Sequence, residues 1–351
     1  MKIRLSARAW VSVVAFVVIG LLLIGAWSEI KHAWELLGRV NLWILSLMIP
    51  LLALNYYASS ESFMSYLRQK GSIGDISPLT QIRIALEFNF VNHALPSGGA
   101  SGVSYATWRL SRLGVPVGRA AMAQVVRIAT GFAAFFVLLA VSVLLITIDG
   151  GVNRWIILIS AALTGLMVTA AAVGWYFLSK DSRMHRAAVW LARNINRVAR
   201  WVTRNPSRTI VRSATLEAYM QEVHEDYVDL KREKRRLRRP FLWNIVFILV
   251  EVAIFVTAFW AFGHLVNPAP VLIAFGLGTI AGMVVLTPGG SGAYEALMVS
   301  FLAIAGLSGG VAIAGVLLAR MIILLVILVP GYVLYQQAII RYGKPRINSE
   351  R

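Results

Sequence analysis

Arg127, Glu251 and Arg320 interrupt long apolar stretches, and Glu295 stands three residues after Gly292 in a glycine-rich break. Counted from the start of each stretch at ~1.5 Å per residue, Arg127 lies ~13 Å deep, Glu251 ~15 Å and Arg320 ~16 Å. Charges at such depth in hydrocarbon are rare, and they face a bundle interior or a water-filled path. The two guanidinium groups could bind an anion, or they could be locked by Glu251 and Glu295. A carboxylate in a first helical turn, as Glu295 would be, is favoured by the helix dipole and can reach an arginine.

Two matching breaks would position these charges. Pro96-Ser97-Gly98-Gly99-Ala100-Ser101-Gly102 resembles Pro288-Gly289-Gly290-Ser291-Gly292, and an arginine follows each proline after 31 and 32 residues respectively. Proline clashes with the preceding turn and glycine readily leaves helical geometry, so each motif should stop one helix and start another. The new starts, near Ser101 and Gly102 and near Ser291 and Gly292, point unpaired N–H groups inward and are ready anion sites. A simple proline kink is the plainer reading of either motif alone; their repetition favours paired hairpins. Asn89, Asn92 and His93 lead into the first break, where Asn92 is a candidate substrate contact or a partner for exposed backbone. Arg83 and Glu87, four residues apart, read as a structural pair. Tyr105, Trp108 and Tyr294 read as packing aromatics.

The surrounding composition is that of a membrane protein: 58% of the 351 residues are hydrophobic and 14% charged. Spans of about 20 apolar residues cross ~30 Å of hydrocarbon. The runs predict an all-α polytopic membrane protein with six transmembrane helices, at 10–27, 41–60, 119–146, 154–178, 241–263 and 310–340, plus two re-entrant helical hairpins, 79–113 and 271–305. The second arm of each hairpin is too short to span. Residues 1–148 form one repeat; 149–178 opens a second, which continues through 241–340 after the loop 179–240, and 341–351 is a tail. Because the units begin on opposite sides, they are related as inverted repeats, an arrangement that places substrate sites near the midplane where broken helices meet.

The net charge of +18 collects on one side. Outer segments pair Glu29 and Glu35 with Lys31 and Arg39, and Asp149 with Arg154, whereas the inner ones are strongly basic. That asymmetry predicts cytoplasmic N and C termini and explains the charge without nucleic acid. Residues 1–26 also look like a signal sequence, but no convincing small-residue cleavage site follows, so the first span is expected to stay. The loop 179–240 holds 16 basic and 7 acidic residues. Its Arg193, Arg197, Arg200 and Arg204 stripe beside Leu191, Ile195, Val198 and Val202 suggests a surface helix attracted to anionic lipids. With no cysteine, no phosphate-binding loop and no metal-ligand spacing among the five histidines, neither metal nor cofactor is expected, and no soluble catalytic domain is visible.

Pro288-Gly289-Gly290-Ser291-Gly292-Ala293-Tyr294-Glu295 with Arg320, and Asn89-Phe90-Val91-Asn92 ahead of Pro96, resemble the lysylphosphatidylglycerol synthase transmembrane region family over nearly the whole chain. Members include the flippase half of the bacterial multiple peptide resistance factor and stand-alone membrane proteins. The resemblance implies a lipid flippase moving aminoacylated or glycosylated phospholipids, with Pro288, Gly289, Gly290, Gly292, Glu295 and Arg320 as site residues. The chain departs from the two-part factor in lacking a synthase domain and in having Tyr105 where strict repetition would put a carboxylate. A non-enzymatic inner-membrane transporter of charged-headgroup phospholipids or glycolipids is therefore expected, held together at Arg127, Arg320 and the two helix starts. The alternatives are a secondary transporter of a small soluble anion and a non-transporting scaffold for a lipid-modifying enzyme partner.

Overall fold

The structure is a computed structural model and describes residues 40–95, 100–148, 154–179, 213–284 and 292–343, with Gly38, Gly290 and scattered positions between 182 and 197. The expected first span, and Pro96, Gly98, Gly99, Pro288, Gly289 and Ser291 of the two breaks, lie outside the described residues.

Every described element is helical. A short α1 (Leu42–Ser46), capped by the Asn41 side chain, leads into α2 (Met48–Gln69). There follow α3 (Pro78–Ala94), α4 (Ala100–Ser111), α5 (Val117–Ile148) and α6 (Arg154–Leu178). Next come α7 (Ser213–Arg232), a 3-10 turn at Lys234–Leu237, α8 (Arg238–Ala261), α9 (Pro268–Val284), α10 (Ala293–Ile304) and α11 (Gly309–Tyr342). Five helical stretches among the described residues are long and apolar enough to cross a membrane, and they coincide with the second to sixth expected spans. The second runs on to Gln69 instead of ending near residue 60, because its polar continuation packs inward: Ser60, Glu61, Ser62 and Ser65 are all buried.

The short helices fall where the two hairpins are expected. In the first half, arms of 17 and 12 residues (α3, α4) precede a 32-residue helix (α5). In the second, arms of 17 and 12 residues (α9, α10) precede one of 34 (α11). Their neighbours repeat too. α3 packs on α4 and α2, and α5 on α4 and α2; correspondingly α9 packs on α10 and α8, and α11 on α10 and α8. Across the halves α3 lies against α11 and α9 against α5. Glycine makes both crossings close: a Cβ at Gly276 of α9 would fall 2.1 Å from the Phe135 ring of α5, and one at Gly331 of α11 would fall 2.9 Å from Phe90 Cβ of α3.

Helix ends gather on two faces. On one, Lys70 after α2, Arg119 at the start of α5 and the acidic helix α7 meet, and the Gln69 amide donates to the Arg236 carbonyl at 3.2 Å. On the other, the Asn41 N–H donates to the Ala261 carbonyl at 2.8 Å. In α7, Asp226 bonds Lys70 at 3.2 Å and approaches Arg119 at 3.6 Å, while Asp229 takes a second Lys70 bond at 3.2 Å. The loop's acidic residues are concentrated in this helix, where they dock it to the bundle. Arg193 and Arg197 are helical and exposed; the remainder of their stripe lies outside the described residues.

Candidate functional site

α10 and α11 form a polar cluster at the second glycine-rich break. Gly292 has φ 89°, a conformation L side chains rarely adopt, and it ends the break and opens α10. Its N–H donates to Glu295 Oε2 at 2.7 Å, and Arg320 Nε donates to Glu295 Oε1 at 2.7 Å. One carboxylate thus caps the helix start and anchors a guanidinium that is itself buried and lies 4.0 Å from the Tyr294 ring centre. Gly290 (φ 70°) sits on Gly282, where an added Cβ would come within 2.4 Å of Cα, so the tip folds back against its own first arm.

Two other groups sense this cluster. Glu251 of α8 is half-buried beside Asn55 and lies within electrostatic range of Arg320 and Tyr294. His93, at the inner end of α3, feels both Arg320 and Glu295, so the approach to the first break reaches the start of the second hairpin's short arm. The Tyr56 hydroxyl and both amide atoms of Gln124 are buried without hydrogen-bond partners among the described residues. Buried polar atoms of this kind are satisfied by water or ligand in most proteins.

Arg127 has different company. It stacks on Phe88 of α3 at 5.1 Å, its backbone carbonyl accepts from the Asn244 amide at 3.3 Å, and its Nε is buried with no hydrogen-bond partner. No carboxylate ion-pairs with it among the described residues. It lines a cavity of about 210 Å³ between α5, α6, α8 and α9, with Asn244 and Thr279 as the other polar lining groups and Ile128, 44% exposed, at the rim. A largely apolar cavity of about 490 Å³ lies between α1, α2, α3 and α11, lined among others by Leu45, Leu52, Tyr56, Leu86, Ile322 and Val326.

The charges are therefore partitioned in a way that their spacing along the chain does not reveal. Both mid-depth carboxylates accompany Arg320, leaving Arg127 as the cation with no acidic neighbour. Ser101 and Gly102 serve the first hairpin's own packing. The Ser101 hydroxyl donates to the Val91 carbonyl at 3.2 Å, and a Cβ at Gly102 would meet Asn92 at 2.9 Å. Asn92 is accordingly wedged against the opposite arm, with its Oδ1 unpartnered among the described residues.

Sequence reasoning missed one cluster. Arg83 does pair with Glu87, at 2.8 Å, but Glu87 is fully buried and also accepts from Arg109 Nε at 3.0 Å and the Tyr105 hydroxyl at 3.1 Å. Arg109 of α4 is buried and ties this arm to α3. The spacing of Glu87 and Arg109 gave no signal, because residues 22 apart meet only when the hairpin closes.

The family pattern of the lysylphosphatidylglycerol synthase TM region matches residues 10–331. A UPF0104 membrane protein of Methanothermobacter thermautotrophicus is 26% identical over 236 residues, which cover 66% of this chain and 67% of that protein. A multi-pass helical bundle with two glycine-rich breaks, matched from its first apolar run to the middle of its last helix, belongs to the lysylphosphatidylglycerol synthase TM region family.

Proposed function

We propose that this protein is a non-enzymatic lipid transporter that carries the charged headgroup of a phospholipid or glycolipid between leaflets while the acyl tails stay in the bilayer. The single observation that carries this reading is Arg127, a cation without an acidic partner lining a cavity whose rim residue Ile128 faces the periphery. A cavity that opens between spans admits a molecule whose tails remain in lipid. The rival, a small soluble anion, needs an opening to water at the end of the bundle. An isolated ion pays on the order of tens of kcal/mol to enter hydrocarbon in the idealised limit, so a polar seam is what a flippase must supply.

In this reading the bundle consists of inverted repeats, supported by the matched arm lengths and neighbours of α3–α5 and α9–α11. The face bearing Lys70, Arg119 and α7 is cytoplasmic, as the positive-inside rule requires, in an inner membrane. The headgroup phosphate enters at Arg127. It then passes to the Glu251–Glu295–Arg320 cluster, where an exchangeable ion pair and the starts of the short arms replace its water. Movement is passive or driven by the membrane potential, which supplies about 2.3 kcal/mol per charge per 100 mV.

The test is flipping of labelled phospholipids in proteoliposomes across a headgroup panel. Arg127→Ala should lower the rate at least about ten-fold, equivalent to ~1.4 kcal/mol, with unchanged thermal stability. Arg320→Ala should abolish flipping and also lower stability, since Glu295 is left half-buried without its cation. Wild-type flipping in both folded variants would refute the assignment. Saturable uptake of a soluble anion without lipid movement would favour the rival.

A further inference from the structure

A second polar cavity lies away from the mid-depth cluster, on the basic face, where α2 and α8 cross. It measures about 480 Å³ and is lined by Tyr57, Glu61, Ser65 and Arg68 of α2 and by Arg239, Leu242, Trp243 and Val246 of α8. Glu61 is 2% exposed. Its Oε2 is held by Arg68 and the Tyr57 hydroxyl approaches the carboxylate, while its Oε1 is buried with no hydrogen bond closed among the described residues, and the same holds for the Ser65 hydroxyl. A buried carboxylate oxygen demands a donor. Arg239 is exposed at the lining and forms no ion pair among the described residues. Tyr57 and Trp243 meet edge to face at 5.4 Å on the cavity wall, and Leu242 beside them is 47% exposed towards the periphery.

We propose that this cavity is a phospholipid headgroup site that selects lipids carrying a primary ammonium beside the phosphodiester. Arg239 takes the phosphate, as a charge-assisted donor in the headgroup region. The ammonium donates to Glu61 Oε1 and to Ser65, and the aromatic pair adds cation–π attraction. Arg68 holds Glu61 Oε2, so the other oxygen is fixed in place before the lipid arrives. A glycerol headgroup has hydroxyl donors but no cation for the carboxylate. A trimethylammonium headgroup has the cation but no N–H. Of these three headgroups, only the primary ammonium meets both demands, and it brings the most N–H donors to Glu61 and Ser65. The site deepens the transport reading by placing headgroup choice at the lateral entrance on the basic face, remote from Arg127 and Arg320, and it reads out by equilibrium binding.

The experiment is native mass spectrometry of the full-length chain in detergent with phosphatidylethanolamine, its N-methyl and N,N-dimethyl derivatives, phosphatidylcholine and phosphatidylglycerol. Wild type should bind phosphatidylethanolamine about ten-fold tighter than phosphatidylcholine or phosphatidylglycerol, with affinity falling at each methylation as N–H donors disappear. Glu61→Gln should bring phosphatidylethanolamine down to the level of phosphatidylcholine, and Arg239→Gln should weaken all lipids alike without changing their order. Equal binding of phosphatidylethanolamine and either phosphatidylcholine or phosphatidylglycerol to wild type, a flat methylation series, or a preference that survives Glu61→Gln overturns the proposal. The methylation series uses wild type only, so it decides the matter even where a variant fails to fold. Selective binding without flipping would sink transport and leave this site standing; flipping without selectivity would do the reverse.

Discussion

At the scale of single residues, burial decides what each charge can do. Arg320 and Glu295 are both largely shielded, and Glu295 divides its two oxygens between a guanidinium and a backbone N–H, so the pair is held from three directions. Arg127 has the same depth in sequence but only a ring and a cavity around it. That contrast underlies the expectation that Arg320→Ala harms both fold and transport, whereas Arg127→Ala harms transport alone. Glu87 is the more extreme structural case, with no exposure and with Arg83, Arg109 and Tyr105 all converging on it. Glu87→Gln removes the charge that compensates buried Arg109 and should cost on the order of 3–5 kcal/mol. Thermal unfolding of the purified protein checks this, and an unchanged midpoint would show that Arg109 finds water instead.

At the scale of elements, the helices are kept in place by close crossings and one docked strap. The α9–α5 crossing leaves no room for a side chain at Gly276, since its Cβ would enter the Phe135 ring. Gly276→Val should therefore cost about 1–3 kcal/mol by overpacking, read as a lower unfolding midpoint, and Phe135→Ala on the same background should recover part of it. The strap is α7. Lys70 hydrogen-bonds Asp229 and holds its carboxyl below the usual carboxylate range. A group whose pKa is depressed on docking stabilises the docked state above its free value, about 3.9, and that contribution is lost as pH falls through the lowered one. Hydrogen exchange in α7 should thus stay protected from neutral pH down to about 5 and rise only near pH 4 and below. Release already near pH 6 would mean that the carboxylates do not hold it. The stripe of Arg193, Arg197, Arg200 and Arg204 beside Leu191, Ile195, Val198 and Val202 suggested attraction to anionic lipids. In α7, Asp226 and Asp229 complement Lys70 and Arg119, cations that are distant in sequence.

At the scale of the whole molecule, the gathering of helix ends on two faces makes topology testable. The chain has no cysteine, so single cysteines can be introduced without background. Replacing Asp75 and Gly343 should give thiols labelled from the cytoplasmic side, and replacing Asn267 should give one labelled only from the opposite side; labelling of Asp75→Cys and Asn267→Cys from the same side would end the proposed orientation. The existence, order and approximate ends of the described spans were legible from apolar run length alone, because hydrocarbon thickness fixes how many residues a helix needs. The hairpin arms were legible too, because proline and glycine act on the backbone locally, before any partner is present. The partners of the charges were not. Which carboxylate meets Arg320, why Arg127 meets none, how Glu87 reaches Arg109 and where Glu61 leaves an oxygen open all depend on helices that cross far apart in sequence. Ion pairing falls off over a few ångströms and carries no periodic mark along the chain, so only the packed bundle could decide it.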